Sequence, residues 1–84
     1  FACADDPSQD QFTLRQAHLL EQAIHTLEQE GICPPWRHAC NSSATTRFSF
    51  PAFNMIRVGL AVYGLHASSS SKEALPLRPA ISLV

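Results

Sequence analysis

Basic residues are scarce. Six lysines and arginines face seven acidic residues, Lys72 is the only lysine, and no basic stripe runs along the chain. That balance excludes a nucleic-acid footprint. Long apolar runs are missing too, which excludes a membrane-spanning helix, and no signal-peptide pattern is present. Cysteine is odd in number, at positions 3, 33 and 40. A secreted disulfide scaffold would pair its cysteines, so free thiols in a reducing, cytoplasmic setting are the simpler expectation. There is no internal repeat and no G-x-S-x-G elbow. With 84 residues, one small domain at most is available, and chains this short often need a staple or a partner. Both ends, "FACAD" and "AISLV", are apolar where domain ends are usually polar. The expectation is a piece of a longer chain.

What is present alternates. Phe1 to Ala4 predicts the end of a buried strand, and Asp5 to Gln9 a loop. Thr13 with Gln16 three residues later fits a capping box that opens a helix. Leu14, Ala17, Leu20, Ile24 and Leu27 then recur at helical spacing, and Gly31 supplies a left-handed stop. One-sided apolarity predicts that this helix covers a sheet. Pro34 and Pro35 form a stiff connector, followed by a short strand over Trp36 to Cys40. Ser42 to Arg47 predicts a short helix, capped by Asn41 or Ser42. Met55 to Leu65 is apolar nearly throughout, as a strand buried on both faces would be. Ser68 to Ser71 and a proline-containing segment predict a linker, and Ile81 to Val84 a further strand. Strand, helix, strand, short helix, strand argues a parallel α/β fold, doubly wound or barrel.

The segment Arg37 to Phe48, "RHACNSSATTRF", concentrates the chemistry. Cys33, His38 and Cys40, with Cys3, offer metal-ligand types, but the spacing matches no strong zinc signature; buried thiols beside a hydrogen-bonded histidine are the plainer reading, so no metal is assigned. Asn41-Ser42-Ser43 fits a glycosylation triplet without a secretory context. Ser42 as a nucleophile lacks an acid partner, and a serine before a helix is usually a cap. An anion suits the segment better. Asn41, Ser42, Ser43 and Thr45 put hydroxyls and free N–H groups at a helix start, where the dipole favours negative charge. Val58-Gly59-Leu60 is a second turn where glycine lets a backbone approach a ligand. Arg57, a charge in an apolar strand, needs a partner: a carboxylate of the fold or a ligand acceptor.

"HACNSSATTRF" followed by "NMIRVGLAVYGL", with "FACADD" ahead of both, resembles the alanine racemases. The resemblance implies an eight-stranded α/β barrel followed by a β-domain. On that analogy residues 1–66 are the end of the barrel, about strands 6 to 8, and residues 67–84 a linker and the start of the β-domain. It implies pyridoxal phosphate as cofactor, with the phosphate on Ser42 and the N–H groups of Gly59 and Leu60. Arg57 would face the pyridine nitrogen, supported by His38, while Asn41 supports the turn. The family interconverts L- and D-alanine for peptidoglycan, as a cytoplasmic homodimer. Its Schiff-base lysine and catalytic tyrosine have no counterpart here: Lys72 and Tyr63 do not match them. Val58 and Asn54 depart from the frequent proline and aspartate. A serine or broad-specificity racemase, a non-catalytic truncated product and a small zinc module are the rivals.

Overall fold

The computed structural model describes residues 1–66 and 76–82. A short 3-10 turn, Pro7–Gln9, runs into helix α1, Asp10–Gln29. Strand β1 is His38–Cys40, helix α2 is Ser42–Arg47, and strand β2 is Met55–Ile56. A second 3-10 turn, Leu60–Tyr63, follows. β1 and β2 pair in parallel, His38 with Met55 and Cys40 with Ile56, with an irregularity between the two pairs. α2 lies on the connection between the two parallel strands, which makes this a small α/β unit.

α1 starts earlier than the capping box predicts. Pro7 sits at the first position of the 3-10 turn, and the Asp6 side chain accepts a bond from Ser8 N–H at 2.9 Å. The bonds to Ser8 hold the Asp6 carboxyl below its ordinary pKa. Thr13 is therefore inside the helix and fully buried, and its hydroxyl caps nothing. Gln16 reaches back instead to Ala2, donating to its carbonyl at 3.1 Å and accepting from its N–H at 3.0 Å. The helix stops as expected. Gly31 has φ +79°, and the Ile32 and Gly31 N–H groups close onto Leu27 and Glu28 carbonyls at 2.9 and 3.0 Å. Those paired bonds satisfy carbonyls that the helix end would leave free.

Three strand expectations are corrected. Phe1 to Ala4 is not a strand. Phe1 donates to Ala39 O at 3.2 Å and accepts from Asn41 Nδ2 at 3.1 Å, but Cys3 then turns to φ 61°, which ends any ladder. Trp36 to Cys40 shortens to its last three residues, with Trp36 exposed. Met55 to Leu65 keeps only its first two residues as strand and then curls into the second 3-10 turn, capped by Gly64 at φ 79°. Nor is β2 buried on both faces: Met55 and Ile56 are exposed, because β1 is its one neighbour among the described residues. The run Ser68 to Ser71, Lys72 and the last two residues of the predicted C-terminal strand lie outside the described residues. Ile81 and Ser82 are irregular.

The core is small. Ala4, Cys40 and Ala44 are buried, with Phe1, Phe50 and Phe53 packed against them. Phe1, Phe50 and Phe53 meet at centroid distances of 5.4 to 6.3 Å, a spacing aromatic pairs favour. α1 covers less than its stripe predicts. Ala17 is buried, Leu20 and Ile24 are half-buried, and Leu14 and Leu19 remain about half exposed at 49% and 54%. The chain is elongated, 53 × 27 × 17 Å, with a radius of gyration of 14.7 Å; a compact chain of this length would have about 12 Å. Among the described residues no helix is long and apolar enough to cross a membrane.

Candidate functional site

Both turns that the sequence marks for an anion stand side by side. β1 delivers the chain to Asn41, whose side chain accepts from Ala44 N–H at 3.0 Å and fixes the start of α2. Its own amide donates to Phe1 O, so the cap is held from behind. Ser42 follows as the first helical residue. Its Oγ accepts from Gly59 N–H at 3.1 Å and Ala61 N–H at 3.2 Å. One serine oxygen thus ties the start of α2 to the turn after β2.

The parallel pairing makes this meeting possible. Asn54 bridges the strand entrances: its N–H donates to Arg37 O at 3.0 Å, its Oδ1 accepts from Arg37 N–H at 2.8 Å, and its Nδ2 donates to Pro35 O at 2.9 Å. At the other end Arg57 N–H donates to Cys40 O at 2.9 Å. With the strands held at both ends, the segments leaving them emerge together.

Asn41, Ser42, Ser43, Arg57, Gly59 and Leu60 line one shallow cavity of about 240 Å³. Among the described residues no carboxylate lines it. Leu60 N–H, at the first position of the 3-10 turn, makes no hydrogen bond among the described residues. A Cβ added to Gly59 would meet nothing within 4 Å, so the space above that backbone is open to an incoming group. A hydroxyl, several N–H donors and a guanidinium around an open space form a set that suits a phosphate. Arg57 itself is exposed, not buried as an apolar strand implies, and its charge stays hydrated.

His38 is placed elsewhere. It lines a separate cavity with Leu20, Ile24, Leu27, Trp36 and Arg37, and makes no hydrogen bond to Arg57. Thr45 does not line the anion cavity; its N–H closes the first bond of α2 onto Asn41 O at 2.9 Å, and its buried hydroxyl has no partner among the described residues. Tyr63 lies in the 3-10 turn, 48% exposed, away from the cavity. Cys3 and Cys33 are exposed and Cys40 is buried; among the described residues no three metal-ligating side chains converge. Burial pushes the Cys40 thiol pKa up, against the weaker pull of the Phe1 amino group and Arg57. The sequence reading missed Ala61, a backbone donor with no side-chain signature. It also missed Arg47, a cation whose partners lie far away along the chain.

Parallel strands joined through a short helix define a small α/β unit, with a cavity lined by groups that suit an anion beyond the strand ends. The chain belongs to the alanine racemase N-terminal domain family, which matches residues 1–67. It is 38% identical to alanine racemase 1 of Oceanobacillus iheyensis over 82 residues, covering 98% of this chain and 22% of that protein. It is 42% identical to the alanine racemase of Geobacillus kaustophilus and 41% to that of Geobacillus stearothermophilus, each over 85 residues, 99% of this chain and 21% of the relative. The chain therefore spans about a fifth of the length of these curated relatives. No solved structure matches it significantly.

Proposed function

We propose that this chain is part of the cofactor barrel of a pyridoxal-phosphate-dependent alanine racemase, and that its cavity holds the cofactor phosphate. The observation that carries the reading is the Ser42 hydroxyl lying against the Gly59 and Ala61 N–H groups in a cavity edged by Arg57. The residues fit the group. The Ser42 hydroxyl and the Leu60 N–H are donors for phosphate oxygens, and Asn41 keeps the helix start in place. The Gly59 N–H holds Ser42 Oγ in this structure and would be a further donor only on leaving that oxygen. When bound, pyridoxal phosphate supplies the electron sink that lets the α-proton of an amino acid leave.

Arg57 gives the site its character. A guanidinium donates hydrogen bonds and does not surrender a proton. Were it to face the pyridine nitrogen of a bound cofactor, it would leave that atom an acceptor and so limit how far charge spreads into the ring. His38 pairs with Met55, two residues before Arg57, but lines a separate cavity and makes no hydrogen bond to the guanidinium, so the support expected from it has no basis in this arrangement. The two acid–base groups that racemisation needs belong to other parts of the protein.

In this reading β1 and β2 are barrel strands 7 and 8, Phe1 to Ala4 stands where strand 6 would end but is irregular here, residues 1–66 close the barrel, and residues 67–84 lead to a β-domain. The exposed apolar residues on α1 and β2 and the elongated outline agree with a piece that the rest of a barrel covers. The full protein would work on alanine as a homodimer in the cytoplasm, supplying D-alanine for peptidoglycan. The test is equilibrium binding of pyridoxal phosphate against pyridoxal by the full-length protein that carries this segment. Two charge-assisted hydrogen bonds to phosphate are enough to favour the phosphorylated form by about a hundredfold. Equal affinities would remove the phosphate from this reading.

A further inference from the structure

Arg47 closes α2, at the opposite end from Ser42. Its Nη2 donates to both oxygens of Asp10, at 2.8 and 3.0 Å, its Nη1 donates to Ala4 O, and its guanidinium carbon lies 5.0 Å over the Phe48 ring. The arginine side chain is only 10% exposed, while Asp10 is 39% exposed. Asp10 is the first residue of α1 and Ala4 is in the small core, so one side chain fastens the end of α2 to two separate parts of the fold.

α2 has six residues, about 9 Å at the rise of an α-helix. So short a rod has little length over which to bend. Its tilt is set by what holds its two ends and by Ala44, fully buried in its first turn. At the far end Ser42 Oγ must stand 3.1 and 3.2 Å from the Gly59 and Ala61 nitrogens, distances that a small rotation of α2 would break. We propose that Arg47, through Asp10 and the Ala4 carbonyl, is a positioning residue for the anion cavity: it sets the tilt of α2 and so the place of the Ser42 hydroxyl. Arg47 does not line the cavity. Lysine keeps the charge but cannot reach the carboxylate, the carbonyl and the ring face together. The proposal rests on the phosphate-binding reading for its link to the cofactor.

The experiment uses the full-length protein with Arg47→Met, Arg47→Lys and Asp10→Asn, each alone and combined with Ser42→Ala. Two quantities are read: the dissociation constant for pyridoxal phosphate, and amide hydrogen exchange at Gly59 and Ala61 in cofactor-free protein. Arg47→Met is expected to weaken cofactor binding by about tenfold, the lower end of what a lost supporting partner costs. It should also speed exchange at both amides, and Arg47→Lys should recover only part of each effect. Because Arg47 acts through Ser42, its loss in the Ser42→Ala background should change affinity by roughly twofold at most. Wild-type affinity and exchange in Arg47→Met, or an undiminished loss on top of Ser42→Ala, overturns the proposal. Where Arg47→Met does not fold, Asp10→Asn decides on the same two readouts, and wild-type values there overturn it too. If the unsubstituted protein binds no pyridoxal phosphate, the functional reading fails, and the exchange rates of Gly59 and Ala61 still decide this one.

Discussion

Three consecutive residues divide the work at the end of β1. Cys40 fills the core, Asn41 caps α2, and Ser42 turns its oxygen toward the next turn. The cap is legible in the sequence, because an asparagine before small hydroxyl residues bonds locally. The Ser42 bridge is not, since its partners lie 17 and 19 residues away and are backbone groups of any residue type. The Arg57 anomaly is legible as an anomaly; that the side chain stays in water depends on which strands flank β2. Cys40 carries a pH prediction. Burial raises its pKa above the ordinary 9.0, so the folded thiol keeps a proton that the unfolded one releases. Its contribution is fully present below the unfolded value and is lost as pH rises through the folded one. Alkaline unfolding of the full-length protein and of Cys40→Ala should therefore differ in slope above about pH 9, with the steeper loss in the protein that keeps the cysteine. Parallel slopes would mean that the thiol is not desolvated.

At the scale of elements, α1 is legible through its apolar period and through Gly31, both local signals. Its start is misplaced because Asp6-Pro7-Ser8 reads as loop, although proline at a first helical position is already set for helix. The predicted strand over Met55 to Leu65 fails for a different reason. Apolar character reports burial in the finished fold and says little about backbone shape, and here the chain curls after Ile56. Gly64 decides how that curl ends. It holds φ 79°, and a Cβ there would run into the backbone of Arg78 and Pro79, where Ala80 N–H donates to Tyr63 O at 2.9 Å. Gly31 has the same φ with open space around it. Alanine at Gly31 should cost about 1 kcal/mol, the strain of the left-handed backbone alone. Alanine at Gly64 should cost more, about 2–3 kcal/mol with the overpacking added, and should expose the Ala80 amide to exchange. Thermal unfolding of the two variants of the full-length protein orders them; equal losses would deny the contact between the 3-10 turn and residues 78–80.

The whole molecule has a small core and much uncovered apolar surface. Phe12, Leu19, Trp36, Ile56 and Val62 are each 47% to 67% exposed. An edge such as β2 leaves backbone groups unpaired and apolar side chains in water, which a closed barrel would cover. The parallel α/β class is legible at this scale because strand and helix signals alternate. The shortness of the strands is not, because strand length here follows from how many neighbours are present to pair with. The proposed identity of this segment is part of an enzyme that inverts the Cα of alanine with pyridoxal phosphate. Its most direct test is conversion of L-alanine to D-alanine by the full-length protein loaded with the cofactor, in deuterium oxide, with deuterium at Cα followed alongside. D-alanine formed from L-alanine, and L-alanine formed from D-alanine, should each carry deuterium at Cα. Intact, undeuterated L-alanine with the cofactor bound would contradict it.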